Sequence, residues 1–196
     1  VLKRVIFFVL LIGLWALLFR LGIWPEYILP SPLSVCKTLV RGFQDQSLLI
    51  GVAISMKRIA IGYGISIGIG IFTGLLIGRF RIFEETLGSL ISGLQTLPTI
   101  CWLPLSLLWF GLNDRAIIFL VFMGAVLSIA TGTDSGVKNV PPLYIRAAKT
   151  MGAKKWKLYL EVIIPAALPH IIIGMKQGWS FAWRSLMAGE LLIVCL

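Results

Sequence analysis

Long apolar runs, broken by short polar clusters, dominate this chain, and strict alternation of apolar and polar positions is rare. A bilayer core of about 30 Å takes roughly 20 apolar residues in a helix. The first expected span is Val5 to Leu21, with Arg20 placed to snorkel at its end. Gly22 to Pro32 follows, where Pro25, Pro30 and Pro32 break any helix and Trp24 and Tyr27 suit a membrane interface. Leu33 to Phe43 reads as a short amphipathic helix, Leu33, Leu39 and Val40 on one side, Lys37 and Arg41 on the other. The second span, Ile59 to Ile77, carries Gly62, Gly64, Gly68, Gly70 and Gly74, small residues that let membrane helices approach closely. The third, Leu87 to Phe110, contains Pro98 and Pro104, which predict a kinked or broken helix buried in protein or lining a cavity. The fourth is Ala116 to Ala130 and the fifth Ile163 to Phe181, and a sixth begins near Ser185. The expected fold class is therefore all-α: a polytopic transmembrane helical bundle of five full spans plus the start of a sixth.

Composition agrees with that pattern. The chain is 58% hydrophobic and 13% charged, with a mean hydropathy of +0.95; a soluble domain carries about 25% charged residues. The net charge of +10 falls mostly between apolar runs, where it meets lipid headgroups more naturally than nucleic acid. Cys36, Cys101 and Cys195 are far apart and share no metal-ligand spacing. The run after Lys3 and Arg4 lacks a small-x-small cleavage site, so a first span is preferred to a signal peptide. The chain begins at Val1 and stops within an apolar run at Leu196, as expected of a piece of a longer polypeptide. No internal duplication or soluble domain is evident, so residues 1–196 read as one membrane domain.

Charge sets the orientation. With the N-terminus inside, the connections Arg79 to Glu85 and Asp134 to Glu161 are cytoplasmic, and the second holds Lys138, Arg146, Lys149, Lys154, Lys155 and Lys157. The outer turn Gly111 to Arg115 has one basic residue, so the positive-inside rule favours this arrangement. Lys37, Arg41, Lys57 and Arg58 on the outer side run against it.

Within 134–161, Asn139 is a candidate helix cap, and Pro141 and Pro142 are tolerated in a first turn. Leu143 to Met151 lacks breakers, and Gly152 offers the positive φ that ends a helix. A second helix can start at Ala153 and run through the prolines into the fifth span. Ala147 and Ala148 give the first helix a flat place for another surface, Tyr144, Ile145 and Met151 add apolar area, and Arg146 and Lys149 sit at the edges. An interfacial helix with lysines on headgroups explains the lysines equally well but not the small-residue patch before a turn glycine.

The stretch RAAKTMGAKKWKLYLEVIIP, Arg146 to Pro165, resembles the EAA loop of binding-protein-dependent ABC importers: Glu-Ala-Ala, three residues, Gly, nine residues, then Ile-x-Leu-Pro. Ala147, Ala148, Gly152 and Pro165 match, and Val162 and Ile164 are conservative matches. Arg146 departs from the motif's Glu, which leaves the helix-turn-helix shape but removes an acidic contact. LPSP at Leu29 to Pro32, SMKRIAIGYGISIGIG from Ser55, LPTICWLPLSLLWFG from Leu97 and WRSLMAGEL from Trp183 are similar to the taurine, aliphatic sulfonate and nitrate permease subgroup. The resemblance implies a type I importer permease fold in a bacterial inner membrane, multi-pass, with a cytoplasmic N-terminus. It implies as partners a second permease copy, two ATP-binding subunits, an extracytoplasmic solute-binding protein and membrane lipid, but no nucleic acid. The coupling loop would be 134–161, with Tyr144, Arg146, Ala147, Ala148, Met151 and Gly152 meeting the ATPase. No G-x-x-x-x-G-K-[ST] occurs, so this chain is expected to be no enzyme and to hold no cofactor, ATP and Mg being bound by the partner.

Pro98, Thr99, Trp102 and Glu190 are the pathway candidates, with packing as the plainer reading of the first three. An acid at Glu190 is costly in an apolar run and would pair with Arg184 or Lys176, as a structural ion pair or a polar gate. His170 reads as a structural histidine before a proton relay, Asn113 and Asp114 as a turn before a receptor contact, and Trp109, Trp179 and Trp183 as interface anchors before ligand platforms. No nucleophile-base, paired-carboxylate or metal constellation is evident. The expected function is passage of a small oxyanion, sulfonate, taurine or nitrate, by alternating access. The alternatives are the same machinery for bicarbonate or a thiamine precursor, and an ion-coupled secondary transporter resting on Glu190 and His170.

Overall fold

The computed structural model describes residues 2–22, 25–153 and 155–194. Trp24, Lys154 and Cys195, named above, lie outside them, as does the side chain of Lys155. All regular structure among the described residues is helical. The chain forms two compact units, Val1–Ile54 and Ser55–Leu196.

The first unit holds α1, Leu2–Arg20, and α2, Pro32–Gln44. Side chains from Val5 to Leu17 on α1 are largely exposed. Ser31 caps α2, its hydroxyl accepting from the Ser34 amide at 3.0 Å, and Pro32 opens the first turn, where its missing N–H costs nothing. Gln46 takes a positive φ of 57° and turns the chain into α3, Ser47–Arg79, which continues into the second unit.

The rest of the second unit comprises five helical segments. α4 runs Arg81–Gln95 and α5 Thr99–Phe110, bent from each other by 102°. α6 is Asp114–Lys138 and α7 Pro142–Thr150. α8 is one rod: a helical turn at Lys155–Leu158, a wide π-helical turn at Tyr159–Ile163, then α-helix Ile164–Val194. α3, α6 and Trp156–Leu192 of α8 are each long and apolar enough to cross a membrane, and α4 with α5 makes a fourth if the bent pair counts as one.

α6 sits in the middle and is the most buried of these. On its α3 side, a Cβ added at Gly62 would meet Val121 at 2.8 Å, one at Gly70 would meet Ile129 at 2.8 Å, and one at Gly74 the Ala130 carbonyl at 2.5 Å. The contacts advance together along both helices, so α3 and α6 are parallel. On its α8 side the contacts run oppositely: Gly124 faces Ser185, Gly132 faces Gly174 and Gly136 faces Ala167. A parallel pair needs a return crossing between them. The bent pair α4–α5 supplies it, carrying the chain from the Arg79 end of the bundle to the Asp114 end.

The expected break in the third span is present, for a local reason. Pro98 is extended (ψ 137°), a 3₁₀ turn follows at Thr99–Trp102, and helix resumes at Leu103–Phe110. Pro104 causes no kink, because it falls in the first turn of that last segment. The sixth span expected from Ser185 is corrected: Ile163 to Phe181 and the residues after it belong to the same helix, since Ala182, Trp183 and Arg184 include no breaker. Pro165 and Pro169 do not end α8 either. The wide turn lies just before Pro165, loosening the backbone where the ring would otherwise press on the Glu161 carbonyl.

The core follows the small-residue seams. Ile59, Ile117, Val121, Ala125, Ile129, Ala182 and Leu186 form its main cluster, and Val140, Ala148, Leu158, Ile163, Ala167 and Ile171 a second one at the Lys138 end. Gly74→Ala should lower the melting temperature of the detergent-solubilised protein, since forcing a methyl into a packed seam costs about 1–3 kcal/mol. Gly64→Ala, where the added Cβ meets nothing within 4 Å, should leave it unchanged or raise it.

Candidate functional site

Two features at opposite ends of the second unit, and a cavity between them, carry the functional argument. At the Lys138 end is the hairpin of α7 and the start of α8. Asn139 does not cap α7 as the sequence suggests; it closes α6, its side-chain amide donating to the Ser135 carbonyl at 2.9 Å, and Pro141 precedes α7 instead. Gly152 has φ 86°. The Ala153 amide donates to the Ala148 carbonyl at 2.9 Å and the Gly152 amide to that of Lys149 at 3.0 Å, so the last carbonyls of α7 are satisfied and the chain turns sharply. Arg79 links the hairpin's far side to α3, its guanidinium lying 4.3 Å from the Tyr159 ring centroid.

The two alanines of the motif part company. Ala148 is 8% exposed and packs with Val140, Leu158, Ile163, Ala167 and Ile171. It gives no docking place for another protein: its small side chain lets α7 lie close to the rest of its own chain. Ala147, Arg146 and Gly152 are exposed, as are Leu143 at 71%, Tyr144 at 53% and Met151 at 88%. Leu143, Ala147 and Met151 follow the i, i+4, i+8 spacing of one helix face. Leu143 is a residue that sequence reasoning missed, although this spacing announces it.

At the other end, Glu190 pairs with Arg58 rather than with Arg184 or Lys176. Arg58 donates to the Glu190 carboxylate at 2.9 Å and to that of Asp114 at 2.6 Å, and the Ser55 hydroxyl donates to Glu190 at 2.7 Å. The side chains of Arg58 and Glu190 are each 17% exposed. This clasp joins α3, the start of α6 and the end of α8. Sequence reasoning placed Arg58 as a charge out of keeping with its side of the membrane; it is neutralised by two carboxylates. Glu190 thus has a fixed cation and a hydroxyl donor as partners, and His170 lies about 30 Å away along α8 at 1.5 Å per residue, so the two form no relay.

Between the ends, Pro98, Thr99 and Trp102 line a cavity of about 290 Å³; Glu190 does not. Gln95, Thr96, Ser128 and Arg184 complete its polar lining. The helix break therefore opens onto a space walled by α4, α5, α6 and α8. Trp109 stacks edge-on to Phe119 and Trp179 to both Tyr63 and Trp183, so these tryptophans make intramolecular aromatic contacts. No group of three or more His, Cys, Asp or Glu that could hold a metal ion occurs among the described residues.

A membrane bundle with a short amphipathic hairpin at one end and a partly polar cavity at a broken helix is the architecture of a transporter's membrane subunit. Residues 66–194 match the family of binding-protein-dependent transport system inner membrane components, and the chain belongs to it. A protein of Methanocaldococcus jannaschii named as an ABC transporter permease is 37% identical over 93% of this chain and 70% of its own length. The nitrate import permease of Leptolyngbya laminosa is 34% identical over 76% of this chain and 53% of its own. The taurine transport system permease of Escherichia coli is 30% identical over 93% of this chain and 68% of its own. The chain is accordingly a permease subunit and not a catalytic one.

The clasp should behave as one unit. Arg58→Ala and Glu190→Ala should each destabilise the solubilised protein, and the double variant should be more stable than the sum of the two, with a coupling of about 1–3 kcal/mol. Strict additivity in thermal or denaturant unfolding would show that the pair contributes nothing.

Proposed function

We propose that this chain is the membrane-spanning subunit of an ATP-driven importer that passes a small oxyanion, such as a sulfonate, taurine or nitrate, by alternating access. The observation that carries this reading is the α7–α8 hairpin. Closing of an ATPase dimer has to displace membrane helices, so a short rigid lever must seat in a socket and continue into a span. α7 has the dimensions of such a lever, roughly 14 Å at 1.5 Å per residue, with an exposed apolar stripe of Leu143, Tyr144, Ala147 and Met151. Ala148 and Gly152 fix its angle to α8, and Arg146 at the rim would meet an acidic or polar edge of the socket.

The working assembly would contain two copies of this permease, two ATP-binding subunits that hold ATP and Mg, and an extracytoplasmic solute-binding protein. Residues 1–196 would act as one permease domain with 134–161 as its cytoplasmic coupling loop. α1, α3, the α4–α5 pair, α6 and α8 would make five crossings with the N-terminus inside, which puts the hairpin in the cytoplasm and the Arg58–Glu190 clasp at the outer face. Substrate class is carried over from the nitrate and taurine permeases among its relatives. The ion-coupled alternative loses its basis, because Glu190 is committed to Arg58 and Ser55.

Ala147→Glu places a charge at the centre of the exposed stripe without entering the core. Purified from native membranes, the variant should keep its melting temperature but lose at least about tenfold of the co-purifying ATPase, with ATP-dependent uptake falling in parallel. Normal co-purification and uptake would remove the lever from the mechanism.

A further inference from the structure

The transport reading leaves open where within the membrane an anion would be held. The charges answer part of this. All eight acidic residues lie outside the middle of the second unit: Glu26 and Asp45 belong to the first unit, Glu84, Glu85, Asp134 and Glu161 to the Lys138 end, and Asp114 and Glu190 to the clasp. Lys176 and Arg184 lie in between on α8 and take part in no ion pair among the described residues. Charged side chains in a span are costly, and those present face a polar cavity or pathway.

α8 has two faces. Ala167, Ile171, Gly174, Gly178, Ala182 and Leu186 are buried. His170, Ile173, Lys176, Gln177, Ser180 and Arg184 are all exposed and, at 3.6 residues per turn, fall within an arc of roughly 120°. Five of these six are polar and none is acidic, in a helix otherwise apolar enough to span. At the upper end of this arc, Arg184 reaches the cavity at the broken helix, where Gln95, Thr99 and Ser128 also border the space. No hydrogen bond occupies the side chains of Gln95, Thr99, Ser128 or Arg184 among the described residues; the Arg184 guanidinium lies 5.6 Å from the Phe181 ring centroid. A guanidinium presents a planar fork of donors suited to a planar or tetrahedral oxyanion. The volume, about 290 Å³, is near the lower end of the range for small-molecule sites, roughly 300–1,000 Å³. Trp102 and Leu127 offer apolar wall for a short organic tail.

We propose that this cavity is an oxyanion-binding station of the translocation pathway, with Arg184 as the charge partner and Gln95, Thr99 and Ser128 as hydrogen-bonding groups. The proposal rests on the importer reading and deepens it. A break in the span at Thr96–Pro98 is what admits the anion beside α8, because it opens the wall that a continuous helix would close. The polar arc from Arg184 down to His170 then gives the anion successive cationic or neutral donors toward the hairpin end.

The test uses the full importer, purified with its ATPase and reconstituted in phosphatidylcholine nanodiscs, with Thr99→Cys in a background of Cys36→Ser, Cys101→Ser and Cys195→Ser. A water-soluble thiol reagent should label Cys at 99, and nitrate or taurine added as the sodium or free form should slow labelling at least about threefold. Adding Arg184→Gln should abolish that protection and cut oxyanion uptake at least about tenfold, while the melting temperature of the complex and co-purification of the ATPase show that it is still folded and assembled. Arg184→Lys should recover part of both. Protection or uptake that survives Arg184→Gln while the wild-type complex imports an oxyanion overturns the station and leaves the importer standing. Protection that requires phosphatidylglycerol and ignores free anion would assign the site to lipid headgroups and overturn it as well. A wild-type chain that binds no ATPase and imports no oxyanion overturns both readings together.

Discussion

Everything else in the second unit depends on how closely α6 can be approached. Glycines on α3, α6 and α8 leave room on both sides of α6 for neighbouring backbones, and the methyl that any other residue would bring falls within about 2.5–3.0 Å of existing atoms at Gly62, Gly70, Gly74, Gly124 and Gly132. In lipid there is little hydrophobic drive between helices, so van der Waals contact at short range has to supply the association. The seams also fix direction. α3 lies parallel to α6 and α8 antiparallel, so the return crossing must fall between Arg81 and Phe110, the segment that carries the prolines.

That constraint divides the remaining residues by role. Small residues are spent on the seams, so the larger polar ones of α8 fall on the face that α6 does not cover. At one end of the bundle Arg58, Asp114 and Glu190 tie three helices together. At the other, Lys138 bridges Glu84 and Asp134, each at 2.9 Å, and α7 packs back through Ala148. In the importer proposed above, a displacement of α7 would pass to α8 directly, through the Gly152 turn, and to α3 through Arg79, whose guanidinium lies against Tyr159. Close-packed seams in the middle and ties at both ends would let helices tilt as bodies in the alternating-access cycle proposed above.

Much of this was legible in the residues. Apolar runs located the long helices, Pro98 located the break, and Gly152 located the turn, because each acts through local sterics. The family followed from the Ala147-Ala148-Gly152-Pro165 spacing. Long-range partners were not legible. Nothing local distinguishes Arg58 from Arg184 as the partner of Glu190; only the register of α3 against α8 decides it. Ala147 and Ala148 look equivalent as a pair, yet a rotation of about 100° between neighbours on a helix sends one to the surface and the other inward. That a helix runs through Pro165 and Pro169 was legible, but the wide turn that absorbs the first of them is not announced by any residue type. The continuity of α8 past Phe181 was missed because span length was counted against the bilayer and not against breakers, of which that stretch has none.

The central claim is that α8 separates a dry, glycine-lined seam from a wet, cationic face. Single cysteines placed along α8 in the assembled importer, with Cys36, Cys101 and Cys195 replaced by Ser, read this face by face with a membrane-impermeant thiol reagent. Cysteines at Ile173, Gln177 and Ser180 should react, and those at Ile171, Ala182 and Leu186 should not. Equal protection of both sets, or reaction confined to the second, would contradict the account.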